Sequence, residues 1–138
     1  MSGDWLDDRL QHEGGLFLGT ESSLQNSTVV SNGADGVDLE SAVDCVNNNV
    51  SANGGDGIQA IGGSFGYGNR IDGNQVRDNT GGGIVVDQAS AHNLIVRNSA
   101  GNNSGAGDYS IASGNKVGPI VTDPSAGVAN AWANFEDP

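Results

Sequence analysis

The chain is short of most things that mark a familiar fold or activity. Among 138 residues it has one cysteine, three prolines and five basic residues, and aromatic side chains make up 5%. The lone Cys45 excludes an internal disulfide and reads as a small hydrophobe. His12 and His92 stand too far apart for metal-ligand spacing. No run of 18 apolar residues occurs, so no membrane-spanning helix and no membrane partner are expected. Five Lys and Arg against 17 Asp and Glu leave a net charge of −12. A general nucleic-acid binder needs the opposite balance, because phosphate neutralisation dominates its affinity. The first 30 residues lack a basic start followed by an apolar core, so no signal peptide is expected. The length allows one domain. Leu, Ile, Val and Phe number 30, about 22% of the chain, close to the border (roughly 20%) below which a highly charged chain stays unfolded.

Glycine is plentiful, with 23 residues, and it falls in a repeat. Ser27-Thr28-Val29-Val30-Ser31-Asn32-Gly33-Ala34-Asp35-Gly36-Val37 aligns without gaps on Asn48-Asn49-Val50-Ser51-Ala52-Asn53-Gly54-Gly55-Asp56-Gly57-Ile58, 21 residues on. Further copies run from Asn74 to Ile84 and from Asn98 to Tyr109. Alignment produces four apolar columns: Leu16, Val37, Ile58, Ile84, Tyr109; Leu18, Leu39, Ala60, Val86, Ile111; Leu24, Cys45, Ile71, Ile95, Val117; and Val29, Val50, Val76, Ala100. The first two columns stand two residues apart, the period of a strand with one buried face. Each strand is too short to bury anything alone. Stacking successive turns in parallel, about 4.8 Å apart, makes the columns into continuous ladders inside a coil. Glycine and asparagine between the columns suit sharp corners. Two asparagine columns keep register, Asn32, Asn53, Asn79, Asn103 and Asn48, Asn74, Asn98, which predicts stacked amides hydrogen-bonded along the coil.

The Asn-x-Val-x-x-Asn-Gly-x-x-Gly-Ile pattern resembles the right-handed parallel β-helix of the pectate-lyase-like superfamily. The resemblance spans roughly Gly15 to Val117. It implies an all-β, right-handed parallel β-helix solenoid of about 4–5 turns over residues 15–117. A cap segment is expected over 1–14, with Trp5, Leu6 and Leu10 on a short helix, and an irregular capping tail over 118–138 that closes the last turn or folds back over a sheet. Relatives in the superfamily are mostly secreted or periplasmic, and they include lyases, epimerases, tailspikes and proteins of no known activity.

One connection varies in length. Between the second and third columns the steps are six, six, eleven, nine and six residues. The long ones, residues 62–70 and 87–92, lie in consecutive turns and are expected to protrude side by side, as solenoid insertions do on a binding face. They carry Phe65, Tyr67, Arg70, Asp87, Gln88 and His92. Aromatic faces with polar rims suit sugar clefts, so Phe65, Tyr67, Asp87 and Gln88 are candidate ligand contacts in a non-catalytic module for a glycan or protein partner. As the alternative, Tyr67, His92 and Arg70 have the types that a uronate lyase or C5-epimerase needs: a base, an acid and a cation. Against it, the dense acidic clusters and aspartate motifs of those enzyme families are missing, and the charge of −12 repels polyuronates. No metal or cofactor is expected. Calcium between Asp35, Asp38 and Asp56 is the weaker alternative to aspartate corner turns. Val46, Leu94 and Val96 are expected to point outward as an apolar strip, covered by the tail or, in a structural self-assembling piece, by another copy.

Overall fold

The computed structural model describes residues 15–62, 67–123 and 130–137. The expected cap over 1–14 and Phe65 lie outside the described residues. The chain winds as a coil of short strands, three residues each and three to a turn through the first four turns. The first turn holds β1 (Leu16–Leu18), β2 (Ser23–Gln25) and β3 (Thr28–Val30). The second holds β4 (Val37–Leu39), β5 (Asp44–Val46) and β6 (Asn49–Ser51). The third holds β7 (Ile58–Ala60), β8 (Arg70–Asp72) and β9 (Gln75–Arg77). The fourth holds β10 (Ile84–Val86), β11 (Leu94–Val96) and β12 (Ser99–Gly101). A fifth begins with β13 (Tyr109–Ile111), β14 (Lys116–Val117) and β15 (Ile120–Val121), and β16 (Asn134–Asp137) follows.

Through the first four turns each strand pairs in parallel with its equivalent one turn away, giving three sheets along the coil. The apolar columns of the sequence are the register columns of these sheets. Leu16, Val37, Ile58, Ile84 and Tyr109 are consecutive Cα partners, as are Leu24, Cys45, Ile71, Ile95 and Val117. Nearly all inward side chains of the first four turns are fully buried, each contributing about 1.5–3 kcal/mol if large. In the fifth turn Tyr109 and Ile111 are only half-buried and Val117 is exposed.

Three asparagine ladders brace the corners, one more than the sequence columns predict. In the first, the side-chain Oδ1 of Asn48, Asn74, Asn98 and Asn134 each accepts the backbone N–H one rung before it. In the second, Asn32, Asn53, Asn79 and Asn103 are linked in the same way, and the Asp108 carboxylate accepts the last N–H. The third runs through Asn69, Asn93 and Asn115. Most rungs follow directly on a residue with left-handed backbone, and this role falls to Ala52 (φ 54°), Asp78 and Arg97 as readily as to glycine. Such a conformation costs a non-glycine residue about 1 kcal/mol, and the hydrogen-bonded rungs impose it.

The tail does not simply close the last turn. β16 wedges into the third sheet between β12 and β15, parallel to both, so that a segment from beyond the fifth turn lies directly on the fourth. Asn134 supplies the next rung of the first ladder. The one hydroxyl proton of Tyr109 is shared between the carbonyls of Asn98 and Phe135, which ties the strand to the fifth turn. Among the described residues no helix is long and apolar enough to cross a membrane.

Candidate functional site

The third ladder sets the base of both long connections. Asn69 and Asn93 are successive rungs, so the residues just before them, Tyr67-Gly68 and Ala91-His92, are held on neighbouring turns at one corner of the coil. Tyr67 is 66% exposed and His92 is exposed. The Tyr67 carbonyl accepts Ala42 N–H, and His92 N–H donates to the Gly114 carbonyl, anchoring both loop ends to adjoining turns. Gly68 makes the close approach possible: a Cβ there would overlap the His92 backbone carbonyl. The ladder is visible in the sequence as an asparagine two residues before Ile71, Ile95 and Val117, a signal that sequence reasoning passed over.

The remaining candidates are distributed along the corner. Residues 87–90 form a tight turn closed by Ser90 N–H on the Asp87 carbonyl, with Asp87 and Gln88 exposed. Gln59 donates to the Asp87 carboxylate at 3.5 Å, which places Asp87 toward the outer face of the first sheet. Tyr67 and His92 stand at the other end of the connections, beside the second sheet. Arg70 is committed elsewhere: its Nε and an Nη donate to Asp72 at 3.1 and 2.6 Å. Arg97 grips the same carboxylate from the next turn, and Asp72 is fully buried between them. The Arg97 and Arg70 guanidinium groups hold the Asp72 carboxyl below the usual carboxylate range, against the opposing effect of burial.

Asp35, Asp38 and Asp56 are near one another, and two of them have a defined structural task. Asp35 Oδ1 accepts Asp56 N–H at 2.6 Å, and Asp56 Oδ1 accepts Gly82 N–H at 2.6 Å. The carboxylates therefore link turn to turn at a corner. Among the described residues no group of three or more His, Cys, Asp or Glu is arranged to hold a metal ion. Asp38 has one buried oxygen without a partner. Burial, then the charge and hydrogen bond of Asp35, raise its pKa to about 6. The folded state therefore binds this proton more tightly than the unfolded chain. The stabilisation is complete below about pH 4 and is lost as the pH rises through 6. Asp38→Asn is expected to raise stability at pH 7 by about 1 kcal/mol after solvent screening is allowed for, and by almost nothing at pH 4. Urea melts at the two pH values check it; equal gains at both would remove the titration as the cause.

Burial pushes the Cys45 thiol up to about 12, so it packs as an inert core group. On the second sheet Val96 is buried, Leu94 is 37% exposed, and Asp72 stands between Val46 and Val96 in the register. The expected apolar strip is thus interrupted by a carboxylate, and the Trp132 segment lies over its upper end.

No curated protein and no solved structure matches the chain. A family model described as a right handed beta helix region matches residues 13–118, more than two thirds of the sequence. With parallel strands in register through successive turns and ladders at their corners, the chain belongs to the right-handed β-helix family.

Proposed function

We propose that the chain is a non-catalytic β-helix binding module that recognises a glycan through the paired connections 62–70 and 87–92. The observation that carries this reading is the exposed Tyr67 and the exposed His92, each just before one of two adjacent rungs, Asn69 and Asn93, at one corner of the coil. A rigid scaffold presenting an aromatic face with hydrogen-bonding neighbours lets a sugar ring stack without ordering a loop first. The pairing of Arg70 with Asp72 favours binding over lyase or epimerase chemistry, since a guanidinium already held by a carboxylate is not free to neutralise a substrate acid.

A glycan array probed with the wild type, Tyr67→Ala and His92→Ala tests the proposal. The expected result is saturable binding to at least one glycan class, weakened about tenfold or more by Tyr67→Ala, as loss of a stacking ring at a binding hot spot implies. Absence of binding to every glycan overturns the carbohydrate reading and leaves a protein partner for the same loops. Unsaturated product absorbing near 230–235 nm from any uronate polymer overturns the non-catalytic reading.

A further inference from the structure

A groove lies on the outer face of the second sheet, apart from Tyr67 and His92. The outward register Gln25, Val46, Asp72, Val96 continues to Gly118, which has no side chain. That gap at the last rung leaves a hollow over Val96. The returning tail walls it, because the Trp132 backbone carbonyl lies against Gly118, where a Cβ would collide with it. The result is an open groove of about 310 Å³ bounded by Leu94, Val96, Val117 and Trp132, with Lys116 at its margin. The Trp132 ring lies 5.6 Å from the Arg97 guanidinium carbon, and the Arg97–Asp72 pair steadies this wall.

Charge identifies the occupant. Arg70, Arg77 and Arg97 each pair with an aspartate, whereas Lys116 has no acidic partner among the described residues. Asp72, the nearest acid in the register of this face, is held by two arginines. Asp44 stands three rungs from Lys116, roughly 14 Å away at the spacing of parallel strands. The groove margin is therefore locally cationic on a molecule of net charge −12, next to walls that are almost wholly apolar. We infer that this groove binds a small amphiphilic organic anion, its flat apolar body against Trp132 and Leu94 and its acid group on Lys116 Nζ. The volume is at the small end of ligand pockets, which suits one fused ring system rather than a polymer.

8-Anilinonaphthalene-1-sulfonate and its uncharged parent, N-phenyl-1-naphthylamine, separate the two contributions. Titration followed by ¹H–¹⁵N correlation spectra is expected to give saturable one-to-one binding of the sulfonate, with shifts concentrated at Leu94–Val96 and Lys116–Gly118. Lys116→Glu is expected to weaken the sulfonate about tenfold, the scale of one lost charge contact, and to leave the uncharged probe unchanged. Leu94→Glu is expected to remove both, with the rest of the spectrum preserved as evidence of folding. Several results would overturn the inference: no saturable binding up to about 1 mM, equal sulfonate affinity in Lys116→Glu, or groove resonances that move with protein concentration alone, which would make a second copy the occupant. Glycan binding at Tyr67 is unaffected by any of these outcomes.

Discussion

Asn98→Ala is expected to lower the unfolding free energy by about 4 kcal/mol, although it removes no apolar surface worth the name. Asn98 is fully buried. Its Oδ1 accepts from the Asn74 backbone N–H at 2.9 Å and from Asn74 Nδ2 at 3.0 Å. Its Nδ2 donates to the Ile71 carbonyl at 2.9 Å and to Asn134 Oδ1 at 3.0 Å. Alanine keeps none of these bonds and brings no replacement. The Asn74 N–H is left unsatisfied away from water, at about 1–3 kcal/mol, the Ile71 carbonyl keeps only its ladder bond to the next turn, and the side-chain links to both neighbouring rungs disappear as well. β16 depends on the same rung, so its attachment should weaken along with the core. Urea unfolding with an unchanged slope measures the loss. Gln75→Ala, exposed on β9, serves as the control and should fall within about 0.5 kcal/mol of wild type. A loss below 1 kcal/mol for Asn98→Ala would mean that the ladders follow from the coil rather than support it.

Gly68→Ala is expected to cost about 3 kcal/mol, again without removing a contact. The Gly68 backbone is not left-handed, so conformational freedom is not its reason. The reason is the approach of the next turn, because the added Cβ would overlap the His92 carbonyl and crowd the Asn93 nitrogen. Both obstacles are backbone, and Asn69 and Asn93 pin that backbone on either side through the third ladder. The strain can be relieved only by prising the two long connections apart, which moves Tyr67 away from His92. Stability and glycan affinity should therefore fall together. Gly19→Ala is the comparison: its Cβ would meet nothing closer than a Glu40 carboxylate oxygen at 3.7 Å, and a neutral or slightly stabilising effect is expected. Wild-type stability and unchanged loop amide shifts in Gly68→Ala would sink the account.

Much of this molecule is legible in its residues because a solenoid is nearly one-dimensional. Leu24, Cys45, Ile71 and Ile95 must share a column once each is five residues before the next apolar column, and the Cα register follows that alignment without a slip. Asn48, Asn74 and Asn98 are readable for the same reason. The third ladder is equally periodic, but its asparagines adjoin the connections of unequal length, where attention goes to the insertions and not to the anchors. At the candidate site, the sequence places Tyr67 and His92 in consecutive turns, and the structure keeps them there. It draws Asp87 toward Gln59 and Arg70 toward Asp72, because a charged or amide side chain takes the nearest partner along its own face.

The sequence by itself determined the coil: the period, the inward columns, the parallel pairing and two of its three ladders. These depend on neighbours one turn away, so a repeat of about 21 residues is enough to specify them. Only the tertiary structure decided where the tail goes, what surrounds Asp72 and where a groove opens. β16 has no repeat to align with, and it lies where β12 offers an unpaired edge and Asn134 completes a rung. That choice sets Trp132 beside Arg97 and roofs the hollow left by Gly118. Pairing of non-repeating segments is settled by which unsatisfied edge and which buried side chain meet in space, and sequence periodicity carries no record of either.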